Sequence, residues 1–264
     1  MSKKIQKKAD VAGLFYPSTK KELSQMLEYF MDQAKDINLS ALGLIVPHAG
    51  YIYSGQIAAA AYKILAKQKN NYQNIFIFGP AHRAYFTGCA IHSAEEFVTP
   101  LGPISQNMEI RKELVNNRLV KEKDSAYSGE HSLEVQIPFI QNIFADQVKI
   151  IPILVGDAVA EDVAKIIELY KDPKNFFIIS SDLSHFHNEA EQHEIDNDTI
   201  IAIESKDVNR VKSDKACGSR AIKGLIKYAN DANLKIEKIS SGNSASSSGD
   251  TSQVVGYASF ILRS

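Results

Sequence analysis

Cysteine is scarce: Cys89 and Cys217 are the only two in 264 residues and stand 128 positions apart. That excludes a disulfide framework and fits a reducing compartment, so a cytoplasmic location is expected. Tryptophan is missing altogether, and neither sign of charge dominates, since 30 basic against 31 acidic side chains leave a formal charge of −1. A nucleic acid or an anionic membrane selects a single-signed surface, so neither is an expected partner. Long apolar runs are also lacking. Those such as residues 150–155 fall far below the ~20 needed to span a bilayer. At the N-terminus Lys3, Lys4, Lys7 and Lys8 precede an apolar stretch of only residues 11–16, ended by Pro17, which is too short for a signal-peptide core. Neither membrane insertion nor export is expected.

What is present is the composition of an ordinary globular protein, 44% apolar and 23% charged. At this length a chain buries roughly three quarters of its unfolded surface around one core. One domain over residues 1–264 is therefore expected, and a metal here would serve function rather than folding. Thr19 and Glu22 have capping-box spacing, and Leu23, Met26, Leu27, Phe30 and Ala34 then recur at helical intervals. Residues 41–46, 75–78, 150–155 and 176–179 are short and almost wholly apolar, the pattern of strands covered on both faces. Helical stretches over residues 54–65, 108–116, 161–170, 189–203 and 219–228 alternate with them. This order predicts an α/β fold: a single domain with a largely parallel mixed sheet and helices on both faces. A last strand over residues 254–262 is expected near an edge. Residues 240–252, with seven serines in thirteen positions, read as a solvated connection.

In open α/β sheets ligands gather outside the carboxyl ends of the strands. Those positions are rich in histidine: Val46 is followed by Pro47-His48-Ala49-Gly50-Tyr51, Phe78 by Gly79-Pro80-Ala81-His82-Arg83, and Ile179 by Ser180-Ser181-Asp182-Leu183-Ser184-His185. Three histidines on one rim point to a shared metal or acid/base site. Glu130-His131-Ser132-Leu133-Glu134 reads either as a charged, solvated helix start or as a supporting imidazole and carboxylate for that rim. Cys217 precedes Gly218-Ser219-Arg220, where a helix begins; it is either a packed small residue or a thiolate favoured by helix amides and a nearby cation. Cys89, in Gly88-Cys89-Ala90-Ile91, is expected to be buried and inert.

Taken together, Val46-Pro47-His48-Ala49-Gly50-Tyr51 with Ser54-Gly55, Gly79-Pro80-Ala81-His82, Glu130 to Glu134, Ser180 to Phe186, Ala216-Cys217-Gly218 and Gly256-Tyr257-Ala258-Ser259 resemble the successive signature blocks of the Memo family. That family includes the AmmeMemoRadiSam system protein B, and its fold is similar to the class III extradiol dioxygenases. The resemblance runs from Ala12-Gly13-Leu14-Phe15-Tyr16-Pro17 to the last strand. It implies metal ligands at His48, His82 and Cys217, an acid/base role for His185, and Asp182 and His131 in the same catalytic cleft. Ala81, Arg83 and Ser219-Arg220-Ala221 depart from the family pattern, which bears on the outer support of the site and on substrate more than on the ligands. The implied activity is Fe(II)-dependent, dioxygenase-like redox chemistry on a small substrate, with Zn or Cu as alternative metals. A zinc hydrolase and a non-catalytic module binding a peptide or a protein are the competing readings. Partners implied by the resemblance are radical-SAM and AMMECR-type proteins.

Overall fold

The protein is described by a computed structural model covering residues 4–264, so Lys3 lies outside the described residues. Twelve strands occur in chain order: β1 (Gln6–Lys8), β2 (Gly43–Val46), β3 (Asn74–Pro80), β4 (Cys89–Ile91), β5 (Glu96–Thr99), β6 (Gly102–Ser105), β7 (Lys121–Glu122), β8 (Lys149–Val155), β9 (Asn175–Ser180), β10 (His185–His187), β11 (Lys235–Asn243) and β12 (Val254–Arg263). The helices are α1 (Lys20–Gln33), α2 (Tyr51–Ala66), α3 (Met108–Asn116), α4 (Ile137–Phe144), α5 (Ala160–Leu169), α6 (Glu189–Glu204), α7 (Ser219–Asp231) and α8 (Ala245–Ser248).

Nine strands form one sheet in the order β10-β12-β2-β9-β3-β8-β4-β7, with β11 also paired to β12, while β1, β5 and β6 make a small second sheet. The four apolar runs are the four adjacent strands β2, β9, β3 and β8, all mutually parallel. Each is buried on both faces, as its unbroken hydrophobicity requires. Leu44, Ile75, Ile77 and Ile178 pack under α1, α2 and α4, while Ile45, Phe76, Phe78 and Ile179 pack under α5, α6 and α7. The period-2 alternation of side chains divides one apolar strand between two cores. At the start of α1, Thr19 Oγ1 accepts from Glu22 N at 3.3 Å, which confirms the cap.

β12 runs antiparallel to β2, β10 and β11 and lies one strand in from the edge, near it as the sequence predicts. Two sequence expectations change. Ser240 and Ser241 are not in a loop: they belong to β11 and pair with Ser259 and Ala258. A bulge between Lys238 and Ser240 breaks the alternation there, and beyond Ile239 the strand has no apolar side chain, as suits an edge. The Glu130 to Glu134 segment is not a solvated helix start. Glu130 and Glu134 are buried, the chain passes through a 3-10 turn at Glu134–Gln136, and α4 begins only at Ile137. Among the described residues no helix is long and apolar enough to cross a membrane.

Candidate metal centre

β2, β9 and β3 are neighbours with the same direction, so their carboxyl ends deliver His48, Asp182 and His82 to one rim. Two glycines allow the remaining segments to close on it. A Cβ at Gly79 would press on Leu133 and Ser132, so its absence lets the 130–134 segment lie against the end of β3. A Cβ at Gly218 would press on Ser181 and the Ser180 carbonyl. Glycine there lets the start of α7 meet the end of β9 and brings Cys217 to the same place. The result is a cluster of His48, His82 and His131 whose candidate ligand atoms all lie within 4.8 Å of one another.

The two strand-end imidazoles are each locked by a hydrogen bond at Nδ1. Ser180 Oγ donates its single proton to Ser132 O at 2.6 Å and accepts from Gln136 Nε2 at 2.8 Å, so at 2.9 Å it accepts from His48 Nδ1. Gln136 is itself oriented, since its amide nitrogen donates to Pro47 O at 2.9 Å and its oxygen accepts from Tyr62 Oη at 2.9 Å. This chain assigns the tautomer of His48 and leaves its Nε2 with a lone pair. On the other wall Glu130 accepts from His82 N at 2.5 Å, from His82 Nδ1 at 3.0 Å and from Ser132 N at 3.0 Å. Burial works against the Glu130 charge, but these hydrogen bonds and the His82 ring outweigh it and bring the carboxyl down to about 2. The ionised carboxylate therefore accepts a hydrogen bond from His82 Nδ1–H and leaves Nε2 with its lone pair. A carboxylate or hydroxyl behind a histidine is the usual support of a metal ligand.

Burial, reinforced by its two histidine neighbours, holds His48 well below the usual imidazole range. Burial also lowers His131, against the opposing pull of Glu130. Both rings are thus neutral, the form that binds metal. Cys217 Sγ lies 3.2 Å from His48 Nε2 and accepts from Asp182 N at 3.3 Å. Burial and the nearby Asp182 push its thiol up to about 12, so the helix amides and Arg220 do not produce a thiolate. Arg220 is instead paired with Asp157 at 2.8 Å. A coordinated cation reverses such a balance, because a ligating thiol is deprotonated outright. Cys89 in β4 is buried, and burial pushes it up to about 12 as well.

Asp182 is buried; its Oδ1 accepts from His48 N at 2.7 Å and its Oδ2 lies 3.9 Å from His48 Nε2. Burial raises this carboxyl despite the backbone donors of His48 and Ala49. His185 opens β10 and acts electrostatically on both His48 and Asp182. Beside the cluster a cavity of about 270 Å³ is walled by His82, Cys217, Phe86, Val155 and Ala221, with Tyr85, Asp157 and Arg220 also on its lining. The sequence thus pointed to His48, His82, His185, Asp182 and Cys217 around one rim, and the structure brings His131 into the imidazole cluster itself. Ser180 and Gln136 were missed, since their roles come through a hydrogen-bond chain with no spacing signal.

The sequence model of a family described as Memo-like protein matches residues 7–261. A MEMO1 family protein of Thermoplasma acidophilum is 35% identical over 268 residues, covering 97% of this chain and 98% of the relative. Another, from Nitrosopumilus maritimus, is 35% identical, covering 95% and 97%. A third, from Thermotoga petrophila, is 34% identical, covering 98% and 100%. Among solved structures, an uncharacterized protein from Escherichia coli K12 overlays with a TM-score of 0.54 at 12% identity, covering 82% of this chain and 98% of that one, which shows a shared fold. The sheet, the rim of histidines and these full-length similarities lead to one assignment: the chain belongs to the Memo-like family.

Proposed function

We propose that this protein is a mononuclear metal enzyme, with Fe(II) as the metal, carrying out dioxygenase-like redox chemistry on a small organic substrate. The observation that carries the reading is the pair of locked tautomers: Ser180 and Glu130 hold the Nδ1 protons of His48 and His82, so both Nε2 lone pairs are free to face the cluster. His48, His82 and Cys217 would hold the metal, with His131 as a further imidazole donor within the same cluster. Two or three neutral imidazoles with an adjacent thiol suit a first-row transition metal. Fe(II) held there would supply one-electron chemistry towards dioxygen and an oxidisable substrate. The protein's own part is to exclude water and move protons. The cavity beside His82 and Cys217 admits a small molecule, and His185, on the segment that follows Asp182, would give or take a proton at the same rim.

One observation favours a second reading. The three histidines alone form an imidazole triad of the kind that suits Zn²⁺ and a metal-activated water. Cys217 would then be a wall of the pocket. Anaerobic purification with metal analysis and absorption spectroscopy separates the two. Bound iron with a thiolate-to-metal absorption band supports the redox enzyme; stoichiometric zinc without a thiolate ligand supports the hydrolase; no metal at any loading removes both and leaves a binding module.

A further inference from the structure

The three imidazoles are not held alike. His48 and His82 each have a hydrogen-bond partner at Nδ1 within 3.0 Å, whereas Glu130 Oε1 lies 3.6 Å from His131 Nδ1, beyond hydrogen-bond reach. His131 is fixed instead by what lies on its faces. The His82 ring stacks on it at 4.8 Å between centroids and 10° between planes, and the Phe15 ring lies 4.4 Å away at 30°.

Phe15 stands on a strap, residues 10–16, that is tied almost entirely to the segment carrying His131. Glu134, buried, accepts from Asp10 N at 2.8 Å, from Val11 N at 2.9 Å and from Tyr16 Oη at 2.7 Å. In return Gly129 N donates to Asp10 Oδ2 at 2.7 Å. The strap closes on itself through Gly13 N to Tyr16 O at 2.7 Å and Phe15 N to Val11 O at 2.9 Å, and Tyr51 N donates to Phe15 O at 2.7 Å. A buried carboxylate with three donors from one strap is an expensive arrangement unless the strap's position matters. Its ends meet residues 129 and 134, which flank His131.

We infer that Glu134 and Phe15 are positioning residues for the metal centre: Glu134 anchors the strap, and the strap presses Phe15 onto His131 so that this ring keeps the plane it needs to face His48 and His82. The inference rests on the metal-site reading above. An imidazole without a hydrogen bond at Nδ1 turns about its side-chain torsions unless stacking stops it. Without Phe15 one face of His131 is open. The role is in placing a ligand, and neither residue touches the metal position.

Anaerobic Co²⁺ titration of the full chain, followed by its visible ligand-field spectrum, tests this in wild type, Phe15→Ala, Phe15→Tyr and Glu134→Gln. Phe15→Ala should weaken Co²⁺ binding by about 10 to 100-fold, the usual effect of removing an outer support, and change the spectrum. Phe15→Tyr, which restores a ring, should return both to wild type, and Glu134→Gln should resemble Phe15→Ala. Unchanged affinity and spectrum in Phe15→Ala overturn the inference while leaving the metal site standing. Wild type that binds no Co²⁺ overturns the metal-site reading. The stacking is then tested without metal by diethyl pyrocarbonate, with modification read residue by residue in a mass spectrometer. Faster labelling of His131 but not of His48 in Phe15→Ala supports the positioning role; equal labelling removes it.

Discussion

The two walls of the histidine cluster reach the same end by different physics. On the β2–β9 wall a neutral chain, Tyr62 to Gln136 to Ser180 to His48, fixes one imidazole deep in the sheet, with every member buried. On the 129–134 wall a charge does the work: Glu130 holds His82, and Glu134 four residues on holds the strap over His131. The neutral wall carries no charge at neutral pH, because burial keeps the His48 ring unprotonated. The charged wall is pH-dependent, and one of its rings is held by stacking alone. A site built from both draws its rigidity from one side and its adjustability from the other.

The strongest test of the comparison is loss of the shared ligand. His48→Ala should lower metal affinity by more than the roughly 100-fold upper range for outer supports, measured by competition with a chelator, while Cys89→Ser leaves it unchanged. Next, Glu130→Gln should cost about 10 to 100-fold in metal affinity, and so should Ser180→Ala. The two would differ in stability. Ser180→Ala leaves buried partners on Gln136 and His48 unsatisfied and should cost about 1–3 kcal/mol in urea unfolding at neutral pH. The charged wall should also show itself in acid. The Glu130 carboxyl is lowered to about 2 in the folded chain. Its contribution is therefore fully present above the ordinary carboxylate pKa and is lost as pH falls from about 4.5 towards 2. Metal-free wild type should lose stability more steeply than Glu130→Gln in that window, and parallel curves would show that the charge is not held as described. The smallest effect lies outside both walls. Phe186, exposed, has φ +62, a conformation that favours glycine or asparagine. Phe186→Asn should gain up to about 1 kcal/mol without changing metal affinity.

The parts of the fold that were legible are those where one local signal decides the outcome. β2, β3, β8 and β9 are unbroken apolar runs, and α3 begins at Met108 because Asn107 caps it, accepting from Glu109 N at 3.1 Å and Ile110 N at 3.2 Å. β4, β5, β6 and β7 span two to four residues each, too few for a period to show. β11 was hidden by its bulge. At the site, His48, His82 and Asp182 were legible because strand ends project them. His131 sits on a segment with no regular period, and only the fold decides that it faces the other two. Cys217 was legible in position but not in ionisation, since burial by β9 and α7 is a tertiary fact that outweighs the helix amides.

The place of β9 between β2 and β3 sets the order in which the centre can come into being during synthesis. His48 and His82 leave the ribosome early, yet the strands before them are not neighbours until a third strand, made some hundred residues later, slides between them. Until then two strand spacings, about 9.5 Å, must be held open or not yet formed. Cys217 and the β12 pairing to β2 come later still. The nascent chain therefore exposes imidazoles well before it can enclose an ion, and a metal delivered to the growing chain would meet loose donors rather than a finished site. Any metal the centre takes would therefore be loaded by the completed fold, once non-local strand pairing has done its slow work.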